Sequence, residues 1–178
     1  MKRIILVNDS RVDRVDESQC SRGIAVEPRG RREQMRRELN MEDSLISYLE
    51  RFDWQASLFD GYEDDLCVQI RDPVRAAEKL YQLIVAFEPD LIVFDLECFG
   101  QVMYGYRMLE WIDSFHQDYL ETKGISVFVA SRWFGSRAEI SKAAIRARFP
   151  FVRDCIERFD GKSKEVGNEL LKWAESES

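Results

Sequence analysis

Five side chains in this sequence could work together, and each stands where an apolar run stops. Ile4-Ile5-Leu6-Val7 gives way to Asn8 and Asp9, and Leu91-Ile92-Val93-Phe94 gives way to Asp95. Ile125 to Ala130 gives way to Ser131, and Phe149 to Val152 gives way to Arg153. Two carboxylates, Asp9 and Asp95, with carbonyl oxygens from the following loop, suit Mg²⁺, which takes oxygen ligands and keeps waters. An aspartate beside such an ion can attack a phosphoryl donor and form an acyl phosphate. The Ser131 hydroxyl could then bond one phosphoryl oxygen and the Arg153 cation could pair with another.

Such convergence requires that the runs be neighbouring parallel strands, so the elements between them decide the case. Asn40 can cap a helix with Met41, Leu45, Tyr48, Leu49 and Phe52 on its apolar side, and Trp54 to Phe59 reads as a second strand. Asp72-Pro73 opens a helix with Val74, Ala77, Leu80, Tyr81, Ile84 and Phe87 inward, closed by Pro89. After Asp95 and a glycine-containing loop, Met108, Leu109, Trp111, Ile112 and Phe115 fall at core spacing. Ser136 to Ala147 and Lys162 to Ala174 read as the last two helices, and Phe149 to Val152 as a fifth strand between them. Five βα units predict an α/β fold. The sheet is five-stranded and parallel, with right-handed crossovers and helices on both faces. In an open sheet of this kind ligands bind at the carboxyl ends of the strands, where the order reverses.

At these residues the sequence resembles the receiver domain of two-component response regulators, the flavodoxin/CheY-like fold with strand order 2-1-3-4-5. Val7-Asn8-Asp9 looks like the acidic pair ending the family's first strand, and Pro89 through Leu96 like the run into its phosphoacceptor. Val127-Phe128-Val129-Ala130-Ser131 looks like the strand ending in its Ser/Thr position, and Phe151-Val152-Arg153 like the strand ending in its lysine. The resemblance implies that Asp95 accepts phosphate from a histidine kinase or phosphotransfer protein. It implies Mg²⁺ on Asp9, Asp95 and the Glu97 carbonyl, and a docking surface for a downstream protein at about residues 136–174. The departures are Asn8 for an acid, Arg153 for lysine with Asp154 after it, Phe99 where proline is usual, and a long loop after the first strand. They leave open a phosphorylation-independent pseudoreceiver acting as a partner-binding module. Either way the chain reads as a signalling or binding module rather than an enzyme, and only the active receiver would add self-phosphorylation and dephosphorylation chemistry. A distant alternative is a DEDD-type metal-dependent nuclease, on the strength of Phe94-Asp95-Leu96-Glu97. Only 83 residues follow Asp95, too few for the remaining carboxylates and their scaffold.

Composition agrees. The 178 residues carry a net charge of −7, which argues against nucleic acid as the main partner. Residues 1–40 hold ten Lys/Arg against seven Asp/Glu, and eight arginines fall within 11–37. We expect one domain over 1–178 with an arginine-rich insertion at about 10–40. The four cysteines are widely spread and there is one histidine, so neither a disulfide framework nor a zinc site is expected, and a reduced cytoplasmic setting is. No segment reads as membrane-spanning. His116 is expected to be exposed. Asp60, Glu63, Asp64 and Asp65 read as a solvated acidic loop.

Overall fold

A computed structural model describes residues 1–7, 45–59, 61, 70–96, 103–131, 134, 141–157 and 163–176. The elements alternate as β1 (Lys2–Val7), α1 (Leu45–Glu50), β2 (Trp54–Phe59), α2 (Pro73–Phe87), β3 (Leu91–Phe94), α3 (Tyr104–Lys123), β4 (Ser126–Ser131), α4 (Lys142–Arg148), β5 (Val152–Glu157) and α5 (Ser163–Ser176). The sheet is parallel throughout, in the order β2-β1-β3-β4-β5. The expected α/β fold class and strand order are therefore observed.

Burial explains why the central strands are continuous apolar runs. All four residues of β3 and the last four of β1 are buried, because helices cover both faces. Alternation sends Ile5, Val7, Ile92, Phe94, Val127, Val129 and Cys155 into one core layer with residues of α2, α3 and α4. The opposite set, Ile4, Leu6, Leu91, Val93, Phe128, Ala130 and Ile156, packs with Leu49 of α1 and Val166 and Leu170 of α5. Each fully buried aliphatic side chain of this kind contributes about 1.5–3 kcal/mol.

Helix ends follow local chemistry. Asp72 accepts a hydrogen bond from the Val74 N–H at 3.0 Å, with Pro73 in the first turn, as the sequence predicts. α3 ends where Gly124 takes φ 66° and Ile125 N–H reaches back to Leu120 O at 2.9 Å. That left-handed residue is why glycine stands there. At the amino rim of the sheet Asp90 joins three strand starts. Its carboxylate accepts from Arg3 N–H at 2.7 Å, its own N–H donates to Arg3 O, and its carbonyl accepts from Ser126 N–H.

Several expected positions are corrected. β5 is not Phe149 to Val152. Phe149 ends α4 by donating its N–H to Ile145 O, and the strand runs from Val152 to Glu157. The apolar cluster Phe149-Pro150-Phe151-Val152 is a turn that buries its first and last residues. The true strand carries charges because it is an edge with a bulge. Val127 pairs with Val152 and Phe128 with Asp154, leaving Arg153 as the extra, exposed residue. Phe115, Val74 and Phe52 were expected inward and are 67%, 43% and 49% exposed. Of the helices expected near 41–52 and 136–147, the described parts are Leu45–Glu50 and Lys142–Arg148, and residues 41–44 and 136–140 lie outside the described residues. The arginine-rich stretch at about 10–40 and the acidic residues Asp60, Glu63, Asp64 and Asp65 lie outside the described residues. No described helix is long and apolar enough to cross a membrane.

Candidate functional site

Parallel pairing brings the strand ends to one rim. Asp95, directly after β3, donates its N–H to Val7 O at 3.0 Å, so it lies against the end of β1. Its residue is half-buried. Ser131, at the end of β4, is fully buried. Phe94 pairs with Val129, so the residues following β3 reach the level of Ser131. Asp95 and Ser131 therefore share this rim. Asn8, Asp9 and Glu97 lie outside the described residues.

Arg153 does not join them. It is the bulge residue near the amino end of β5, and its Nη1 donates toward Ser126 Oγ at 3.5 Å, at the start of β4. Ser131 is the last residue of the same strand, so Arg153 points to the opposite rim. Arg153 does not face the carboxylates as expected, because the apolar run Phe149 to Val152 closes a turn and leaves Arg153 near the start of β5 rather than at its end. The position paired with Ser131 is Glu157, half-buried at the end of β5. Two-residue alternation puts Ser131 in line with Val129, and Glu157 in line with Cys155, on the α2–α4 side. None of the described strand ends at this rim carries a cation. The sequence signal for Glu157 was the apolar pair Cys155-Ile156 just before it, hidden behind Arg153-Asp154.

Two further residues shape the site and were not singled out from sequence. Gly105, in the first turn of α3, lies so close to Asp95 that a Cβ there would stand 1.9 Å from the Asp95 carbonyl oxygen. Its N–H donates to Leu96 O at 3.2 Å. Tyr104 beside it is buried, and its hydroxyl donates to the carbonyl oxygen of Ile70 and reaches that of Asp72 at 3.4 Å. The helix start is thus pressed on Asp95 and tied to the start of α2.

Strand order 2-1-3-4-5, with an aspartate closing β3 at the β1/β3 switch point, decides the architecture. The fold is CheY-like. No family model matches the chain, and no curated protein does. Among solved structures, the chain is similar to the N-terminal domain of the nisin resistance regulator NsrR, a lantibiotic response regulator. That likeness has 15% identity and a TM-score of 0.46, covering 97% of this chain and 96% of that one. The Mn²⁺-bound response regulator Rcp1 is similar at 18% identity and a TM-score of 0.49, covering 97% and 94%. A response-regulator signal receiver domain from Bermanella marisrubri is similar at 15% identity and a TM-score of 0.45, covering 98% and 95%. The strand order carries the CheY-like assignment.

Among the described residues no group of three or more His, Cys, Asp or Glu is placed to hold a metal ion. Burial, its largest cause, raises the pKa of the Cys155 thiol, and the sulfur lies 3.9 Å from Lys142 O. On the outer side of this CheY-like fold His116 is half-buried, not exposed as expected. It stacks on Tyr81 at 3.5 Å between ring centroids and 12° between planes, with Trp111 at 4.7 Å.

That partial burial lowers the His116 pKa. The neutral ring is therefore favoured in the folded chain, and the unfolded chain binds the proton more readily below about pH 6.5. This contribution to stability is complete above the unfolded value and is lost as pH falls through it toward the lower folded value. Comparing urea midpoints at about pH 8 and about pH 5.5, the advantage of wild type over His116→Gln should shrink on acidification. An advantage that grows in acid would refute the assignment.

Proposed function

We propose that the chain is a receiver-fold signalling module that acts by docking a protein partner, without a phosphoryl-driven switch. The observation carrying this reading is Glu157 beside Ser131 at the end of β5. A phosphoryl group on Asp95 would lie about two strand spacings, roughly 10 Å, from that position. A unit charge pair at that separation is worth roughly 0.4 kcal/mol in water and about 1.7 kcal/mol at an effective dielectric of 20. With a cation in place the sign favours the phosphorylated state, and with a carboxylate it opposes it. Among the described residues the strand-end neighbour of Ser131 is therefore a carboxylate, which would not be drawn toward an arriving phosphoryl charge. The docking face is assigned to α4, β5 and α5 by resemblance. There α4 presents Lys142, Ala143, Ala144 and Arg146 to solvent beside β5, the edge strand among the described residues.

A second reading keeps the chemistry. The Asp95 N–H bond to Val7 O sets Asp95 beside the strand that leads into Asp9. In that reading Asp9, Asp95 and the Glu97 carbonyl would hold Mg²⁺, which would neutralise charge on a phosphoryl group from a histidine kinase or phosphotransfer protein. One experiment separates the two. Wild type and Asp95→Ala are incubated with Mg²⁺ and a small phosphodonor and weighed intact. The docking-only reading expects no phosphoryl adduct on either protein. An adduct on wild type that disappears with Asp95→Ala establishes the second reading in its place.

A further inference from the structure

We propose that Gly105 is a positioning residue for Asp95, and that α3 transmits the placement of Asp95 to the outer α2–α3 face. The inference rests on Asp95 lying at the site described above, and on no phosphoryl chemistry. It starts from a contact with no slack. The nearest neighbours of a Cβ at Gly105 would be Asp95 O at 1.9 Å, Asp95 C at 3.0 Å and Leu96 Cα at 3.1 Å, all of them backbone. No side chain could rotate away to admit a Cβ, so glycine is what lets the α3 backbone rest directly on that of Asp95. The Gly105 N–H bond to Leu96 O closes the same contact from the other side.

From this point α3 runs unbroken for 20 residues to Lys123. Its first residue, Tyr104, is bonded to the carbonyls at the start of α2, as above. Further along, His116 stacks on Tyr81 of α2, Tyr119 meets the same ring edge-on at 5.4 Å, and Lys123 lies 3.6 Å from Glu88 just past the end of α2. One end of the helix is locked to Asp95, and its length is registered against α2. A displacement of the Asp95 backbone therefore has to alter the α3–α2 register, and the flat His116–Tyr81 stack is its most sensitive gauge. Beside it Phe115 stands 67% exposed, its ring 5.4 Å from that of Trp111, so the same displacement repositions a surface aromatic.

The sequence has one histidine, so its ring C–H resonances are identified without assignment. They lie in the ring currents of Tyr81 and Trp111. Proton NMR of the full chain is compared for wild type, Gly105→Ala, Asp95→Glu and Gly167→Ala. The last is a steric control on the other side of the sheet, where an added Cβ would meet the Tyr48 ring at 2.4 Å. The expected result is a shift of the His116 resonances in Gly105→Ala and in Asp95→Glu, accompanied by a shift of the Leu96 amide, which reports the backbone at the contact. Neither signal should move in Gly167→Ala. Should Gly105→Ala fail to fold, Asp95→Glu decides. Unmoved His116 resonances in a folded Asp95→Glu protein, or an equal shift in Gly167→Ala, would overturn the proposal. A phosphoryl adduct on Asp95 would overturn the docking-only function and leave this inference standing.

Discussion

Truncating Phe94 to alanine is expected to remove about 3–5 kcal/mol of unfolding free energy. Phe94 is fully buried in the central strand, one residue before Asp95, among Ile5, Ile92, Tyr104 and Met108. The loss combines the transfer free energy of a large ring with a cavity that surrounding backbone cannot close, because β3 is held on both sides by β1 and β4. Against a total of about 5–15 kcal/mol for an ordinary domain, this single change consumes a large share. Urea unfolding with an unchanged slope and a lowered midpoint is the measurement. A loss below about 1 kcal/mol would place Phe94 outside the core and remove the buried strand that positions Asp95.

A similar loss, about 3–5 kcal/mol, is expected for Phe149→Ala, while Phe115→Ala should stay within about 0.5 kcal/mol of wild type. Hydrophobicity alone would rank the two alike. Phe149 is fully buried where α4 stops, with the Tyr106 ring at 5.1 Å, the Phe151 ring at 6.0 Å and the Arg148 guanidinium 4.8 Å above it. Arg148 also donates to Asp113 at 2.8 Å, so this residue and Phe149 together pin α4 to α3. In thermal unfolding the Phe149 loss corresponds to roughly 6–20 °C for a chain of this size, and the Phe115 change to about 2 °C or less. The opposite ranking would mean that the α4–β5 turn is misplaced, and with it the register that sets Glu157 beside Ser131.

Much of this architecture was legible in the sequence, for physical reasons. β1, β3 and β4 are buried on both faces, and burial leaves an unmistakable signature of unbroken β-branched and aromatic residues. Asp72-Pro73 is a start signal whose geometry admits few alternatives. Those pieces establish the βα alternation; the strand order, and with it the convergence of Asp95 with Ser131 on one rim, comes from the resemblance to receiver domains. β5 could not be read in the same way. An edge strand has one side free for water, and its bulge turns Arg153 outward, so its charged residues imitate the end of a strand. The neighbouring Phe149 and Val152 imitate its middle while closing a turn. That one misreading put a cation where the described end of β5 carries a carboxylate, Glu157. Phe115 was misplaced because i, i+4 spacing from Trp111 identifies a helix stripe without saying where the stripe stops facing the core. Gly105 and Tyr104 were overlooked because their roles lie in contacts with backbone atoms far along the chain, which no local pattern records.

The response of the whole fold to a phosphodonor bears most directly on the absence of a phosphoryl switch. Amide spectra of the ¹⁵N-labelled chain are recorded with Mg²⁺, before and after addition of a small phosphodonor. With Glu157 rather than a cation beside Ser131, the two spectra should superimpose across β4, β5 and α4. A coherent set of displaced peaks in those elements, present in wild type and lost in Asp95→Ala, would contradict the absence of a switch and show that phosphate on Asp95 drives the conformation after all.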